Sequence, residues 1–245
     1  MEYDFDETLK ELLRSRADVV RSQIADACAK AGRDVSEVTL VGVSKVFPVS
    51  YAEAAVAGGL MDLGENKVQE LVPKIERLNE LGLKPNWHLI GTLQKNKVKY
   101  IAGKTHLIHS VNTIELAQEI DKRFKAVDSV ADILMQVNVS GEESKHGFAP
   151  EESQEALEVI NGLENVRVRG LMTMAPIEQY EGQAREVFHD TRDLFEKLRS
   201  CSKDSSIWNI LSMGMSHDYE SAILEGSTCI RIGTAIFGDR SQITG

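Results

Sequence analysis

Apolar positions set the first element. Phe5, Leu9, Leu12, Leu13, Val20, Ile24 and Ala27 recur at three- and four-residue steps, which predicts one long amphipathic helix ending at Gly32. Beyond Gly32 the pattern alternates between short apolar runs and amphipathic stretches. The runs predict strands at 38–44, 61–65, 86–91, 106–111, 131–138, 166–174, 207–213 and 229–233, and the stretches predict helices near 50–57, 66–81, 94–102, 113–125, 150–161, 180–200 and 216–225. Thr113 and Ser216 read as N-caps and Pro150 as a first-turn proline. Pro73 interrupts the pattern Val68, Leu71, Val72, Ile75 and Leu78, and predicts a kink or a later helix start. Eight strands separated by seven helices, within about 200 residues, favour a closed parallel (β/α)8 barrel with an extra N-terminal helix over a flavodoxin-like open sheet. The first strand runs into Ser44-Lys45-Val46-Phe47-Pro48, where a dinucleotide fold would carry G-x-G-x-x-G. With no linker or repeat, the expectation is a single domain over 1–245, with a helix at 1–32 and a barrel at 38–240.

Composition narrows the partners. The chain has 245 residues, 42% of them hydrophobic, and a net charge of −10, enough for one large core and opposed to a general nucleic-acid or anionic-membrane binder. Any anionic ligand must then be held locally. The opening MEYDFDETLK is acidic where a secretory signal is basic and then apolar, and no apolar run is long enough to span a membrane, so the expected location is cytoplasmic. Cys28, Cys201 and Cys229 lack C-x-x-C spacing and His106, His109, His189 and His217 lack ligand spacing, so free thiols and no metal are expected.

Lys45 is the first candidate for chemistry. If Val38, Leu40, Val41 and Val43 form a core strand, Lys45 stands at its C-terminal end, where barrels keep their ligands. It reads either as a solvated rim cation or as a partly desolvated amine able to condense with an aldehyde. Barrels commonly hold phosphate in the loops after strands seven and eight. Those loops are Ser212-Met-Gly-Met-Ser216 and Arg231-Ile-Gly-Thr-Ala-Ile-Phe-Gly238, each pairing a glycine with hydroxyls. Two such loops facing one lysine favour a phosphate site.

The stretches VGVSK (41–45), GENKVQE (64–70), WHLIGTLQKNK (87–97), QVNVSGEESKHG (136–147), RGLMTM (169–174), LSMGMSHDYESAI (211–223) and RIGTAIFG (231–238) resemble the YggS/PROSC family of pyridoxal 5′-phosphate (PLP) homeostasis proteins. Its barrel is similar to the N-terminal domain of alanine racemase, the type III fold of PLP enzymes. The resemblance implies that Lys45 holds PLP as a Schiff base. It further implies that Ser212, Gly214, Ser216, Gly233 and Thr234 bind the phosphate, that Arg231 faces the pyridine nitrogen, and that Asn66 lies beside the ring. A guanidinium at that nitrogen disfavours a pyridinium and leaves the ring a poorer electron sink.

Around this set, His88 reads as no closer than a supporting residue and Met174 as a neighbour of the site. Lys145 reads as a loop cation or a second capture point for the aldehyde, and Lys95, Lys97, Lys99 and Lys104 as a solvated helix face or a docking patch for an acidic partner. A racemase needs two bases, and among Tyr3, Tyr51, Tyr100, Tyr180 and Tyr219 none is an evident second one, Tyr51 and Tyr219 being the nearest to predicted mouth loops. Only seven residues follow Gly238. The favoured expectation is a monomeric or weakly dimeric PLP carrier without turnover, with PLP-dependent apo-enzymes as recipients. The alternative is an amino-acid racemase.

Overall fold

In the computed structural model, which describes residues 6–142, 146–176 and 182–239, eight parallel strands close in sequential order into a barrel. The strands are β1 (Thr39–Val43), β2 (Asp62–Glu65), β3 (Asn86–Leu89), β4 (Leu107–Val111), β5 (Ala131–Gln136), β6 (Val166–Met172), β7 (Ile210–Ser212) and β8 (Cys229–Ile232). The helices are α1 (Glu7–Ala31), α2 (Val49–Ala57), α3 (Val68–Glu80), α4 (Val98–Ile101), α5 (Ile114–Lys125), α6 (Ser153–Asn161), α7 (Gln183–Arg199), α8 (Tyr219–Leu224) and α9 (Thr234–Phe237). Every strand lies within its predicted run. Closure is made by β8 against β1, with Val41 opposite Arg231.

Helix α1 precedes the barrel and packs on α2, α8 and α9 through Leu13, Ala17, Val20, Ile24 and Ala27, all buried. Asp6 caps its start, and Gly32 at φ 65° caps its end, donating to the Ala29 and Cys28 carbonyls as read from sequence. The main core lies between sheet and helices, where residues such as Leu63, Leu71, Leu78, Leu89 and Ile120 are fully buried. Leu107, Leu134 and Met172, with Met174 and Ile210 against them, form a separate cluster supplied only by strands and the segment just after β6, which is the filling of the barrel itself. No helix among the described residues is long and apolar enough to cross a membrane.

Thr113 caps α5 as predicted, its hydroxyl accepting from the Leu116 amide. Helix α3 starts at Val68, later than the drawn 66–81 as Pro73 suggested, and runs through Pro73, since the lost amide removes a single helical bond while Leu71, Ile75 and Leu78 hold the helix to the core. Three local expectations need correction. Pro150 lies in a turn ahead of α6, which begins at Ser153, where the hydroxyl returns to the Ala149 carbonyl. The 94–102 stretch divides into a 3-10 turn at Lys95–Lys97 and the short α4. Ser216 caps nothing: α8 starts at Tyr219, and the carboxylate of Asp218 takes the Met215 amide at 2.6 Å.

Candidate functional site

The C-terminal ends of β1 and β2 use the two faces of the sheet for different purposes. Successive strand residues point to opposite faces. Ser44 and Glu65 turn outward beneath α3, so Lys45 and Asn66, one residue further on, belong to the barrel mouth. The Glu65 carboxylate is wholly buried, and its Oε1 accepts from Ser44 Oγ at 2.6 Å and from Lys74 Nζ at 2.5 Å. Lys74 also donates to the Ser44 carbonyl at 2.8 Å. Glu65 Oε2 has no hydrogen-bond partner among the described residues, and burial pushes this carboxyl up in pKa, against the opposing pull of Lys74 and Ser44.

One turn further along, Val46 stands at φ 66°, a strained conformation for a β-branched residue, and its amide is held by Glu70 Oε2 at 2.7 Å. Phe47 N closes the turn onto Ser44 O at 3.1 Å. Lys45 thus sits in a turn gripped from behind by Glu65, Glu70 and Lys74. On the β2 side the backbone of Asn66 lies directly against Gly91. A Cβ at position 91 would stand 2.4 Å from the Asn66 carbonyl oxygen, so only glycine fits.

Lys45 and Val43 share a cavity of about 240 Å³ with Phe47, Gly233, Thr234, Gly238 and Asp239. Gly233 caps α9 in this wall, its carbonyl taking the Ile236 and Phe237 amides at 3.0 and 2.9 Å, so that the amides of Thr234 and Ala235 are the ones the helix itself does not use. The loop after β7 is tied to it through the Arg231 amide, which donates to Gly214 O at 3.0 Å. Gly214 has φ 96°, and a Cβ there would meet Ala222 at 2.7 Å. Ser216 is half-buried in the same loop, and Met174 flanks the interior cluster. Lys145 lies outside the described residues.

Arg231 is 4% exposed, with no carboxylate of the described residues within ion-pair distance. Its guanidinium donates to Ser212 Oγ at 2.6 Å and to Thr173 O at 2.9 Å. Ser212 was expected on the phosphate. Its side chain is instead fully buried under the guanidinium, with His109 Nδ1 at 2.9 Å on its other side, because β7 turns this residue into the barrel interior. His88 is buried as well and contacts His109 and Asp62. Sequence reading kept His88 as a supporting residue but missed Asp62, His109, Lys74, Glu70 and Gly91. For Glu70 and Gly91 the signal was present, since they lie in the GENKVQE and WHLIGTLQKNK stretches. Tyr219, which sequence reading placed with Tyr51 nearest the mouth, is buried and donates its hydroxyl to Gln23 of α1 at 2.8 Å; Tyr51 packs on Phe47 with ring centroids 4.9 Å apart.

The model of the alanine racemase N-terminal domain matches residues 21–241. Pyridoxal phosphate homeostasis proteins are similar over most of their length: that of Aquifex aeolicus is 44% identical over 92% of this chain and 97% of its own, and that of Pseudomonas aeruginosa 41% over 90% and 93%. The chain belongs to the pyridoxal phosphate homeostasis protein family, within the alanine racemase N-terminal domain group. Among solved structures, PipY of Synechococcus elongatus with PLP bound superposes with a TM-score of 0.77 at 32% identity, covering 88% of this chain and all of that one. Clostridium difficile alanine racemase, at 16% identity and TM-score 0.67 over 94% of this chain and 57% of its own, shares the barrel.

Proposed function

We propose that this protein binds pyridoxal 5′-phosphate and holds it for storage and delivery, without turning over amino acids. The observation that carries this reading is a cavity at the C-terminal mouth that Lys45 shares with Gly233 and Thr234. An amine, the amides at the start of α9 and a buried guanidinium without a carboxylate partner among the described residues suit an anionic aldehyde. When bound, the cofactor supplies an aldehyde for covalent capture and a ring that can withdraw electrons.

The residues divide the work. Lys45 supplies the amine, and the turn gripped by Glu65, Glu70 and Lys74 fixes where that amine points. The amides around Gly233 and Thr234, with Gly214 and Ser216 in the neighbouring loop, hold the phosphate by charge-assisted hydrogen bonds. Asn66 would border the ring and Arg231 would face its nitrogen, where a permanent cation would oppose protonation. Ser212 holds Arg231, and Met174 and His88 support from within. Lys145 is kept as a candidate second capture point.

Racemisation also needs a second base, to return the proton on the opposite face of Cα. Tyr219, committed to Gln23, is poorly placed to be one, which supports a carrier over a racemase. Recipients would be PLP-dependent apo-enzymes, the protein acting as a monomer or weak dimer in the cytoplasm. Borohydride reduction of the PLP-loaded protein followed by peptide mapping should place the pyridoxyl group on Lys45, and Lys45→Ala should lose the yellow colour. Label found chiefly on Lys145 or on lysines 95–104 would refute the assignment. Solvent deuterium incorporation at Cα of L- and D-amino acids should be negligible. Lys45-dependent exchange near the usual enzymatic range of about 1–10³ s⁻¹ would establish the racemase alternative.

A further inference from the structure

Behind Arg231 an unbroken file of side chains crosses the barrel to its other mouth. Asp62 and His88 line a cavity of about 550 Å³ at the N-terminal end, together with Asn86, His106 and Arg169. From there His88 Nε2 lies 3.1 Å from Asp62 Oδ1, His88 Nδ1 2.9 Å from His109 Nε2, His109 Nδ1 2.9 Å from Ser212 Oγ, and Ser212 Oγ 2.6 Å from Arg231 Nη1. Strands β4 and β7 are not neighbours, so the His109–Ser212 link passes through the interior.

With both imidazoles neutral, the chemistry of the two ends leaves one direction for the protons. Arg231 only donates and an ionised carboxylate only accepts. Asp62 titrates below the ordinary range because hydrogen bonds from His88 and Asn86 outweigh its partial burial, so it is ionised at neutral pH. His88 must then present N–H at Nε2, which makes its Nδ1 an acceptor for His109 Nε2–H. His109 Nδ1 in turn accepts the Ser212 hydroxyl, leaving that oxygen's lone pairs for the guanidinium. The reverse order would set the lone pair of His88 Nε2 against the carboxylate. Burial, with His88 and Arg231 acting in the same sense, keeps His109 neutral, as this order requires.

We propose that Asp62, His88, His109 and Ser212 are a polarised positioning chain for Arg231, its direction set by Asp62 at the mouth opposite the ligand. Its geometric part stands alone; its effect on the ligand rests on the reading that Arg231 faces the PLP ring. Nitrogen-15 NMR of the ligand-free protein should show both imidazoles neutral with the proton on Nε2. His109→Leu should weaken PLP binding roughly tenfold or more, the effect of one lost link to a charged group, and shift the visible absorption band of the bound cofactor. His109→Gln, which can accept and donate, should restore both. His106→Asn should change neither, since His106 touches His88 edge-on at 5.4 Å but is outside the file. A proton on Nδ1 of either ring, an imidazolium, His109→Leu binding like wild type, failed rescue by Gln, or an equal loss in His106→Asn would each overturn the proposal. Failure of the wild-type protein to bind PLP would sink the functional reading while leaving the tautomers to decide the chain.

Discussion

Two polar networks meet at this barrel mouth, and they are built on opposite principles. The one outside the sheet, Ser44–Glu65–Lys74, is an ion pair sealed beneath α3, with its lysine 6% and its glutamate 0% exposed by side chain and one carboxylate oxygen unpaired. The one inside, from Arg231 to Asp62, separates its charges by three neutral links, and its far end opens into the cavity at the other mouth. A sealed pair is costly to break, because whichever charge remains has no water to turn to. An open-ended chain of neutral links is cheaper to break, but its geometry depends on every member. The first therefore suits the fixed turn that carries Lys45, and the second suits the aim of a single guanidinium.

The largest effect should come from the sealed pair. Lys74→Met leaves Glu65 buried without its cation and should destabilise the protein by about 3–5 kcal/mol in urea unfolding, whereas the double change Glu65→Leu with Lys74→Met should be close to neutral. A near-neutral single variant would mean that the pair is not sealed. Next comes Gly91→Ala, whose Cβ falls on the Asn66 backbone. Such overpacking costs about 1–3 kcal/mol and should weaken PLP binding through the displacement of Asn66. A destabilised protein with unchanged affinity would separate Asn66 from the ligand.

The interior network gives a smaller, pH-dependent effect. His109 stays neutral when folded because of burial, while in the unfolded chain it titrates near 6.5. Below about pH 6.5 the unfolded state binds a proton that the folded state refuses, so stability falls as pH drops, by up to ~1.4 kcal/mol per pH unit, and is flat in this group above that range. His106, lowered chiefly by its own burial, adds in the same direction. Urea midpoints between pH 7 and 5 should fall less steeply in His109→Gln than in wild type. Identical slopes would show that His109 takes up its proton as readily in the folded protein as in the unfolded chain.

Local periodicity placed all eight strands, and of the two loops that the sequence reading set opposite Lys45, the one after β8 shares its cavity through Gly233 and Thr234, while Ser212, Gly214 and Ser216 do not line it. What stayed hidden depends on closure. Asp62, His88, His109 and Ser212 sit on four different strands, and only the barrel register brings them into line. The hydroxyl of Ser212 looks like a loop ligand until β7 is seen to turn it inward. Lys74 reads as an exposed helical cation until α3 lays it over Glu65, since nothing in spacing announces a buried charge. Asp218 displaced Ser216 as the residue organising the turn before α8 because both are good turn formers and only the backbone path selects one.

The smallest expected effect is the sharpest test of the outer network's purpose. Val46 occupies left-handed backbone at φ 66° while its side chain is 44% exposed, so the strain is not repaid by burial at this residue. Such a conformation costs a non-glycine residue about 1–2 kcal/mol, and glycine would avoid it while adding about 0.5–1 kcal/mol of chain entropy to the cost of folding. Val46→Gly should therefore raise stability slightly, by under about 1 kcal/mol, with the Glu70 hydrogen bond to the amide retained. If the grip of Glu70 and the strained turn exist to hold Lys45 on its aim, the same variant should release PLP to a competing amine faster than wild type, despite its higher stability. Glu70→Gln, which keeps an acceptor without the charge, should fall between the two. A Val46→Gly protein that is both more stable and slower to release would show that the turn does not govern Lys45, and would leave the sealed pair as a stabilising device alone.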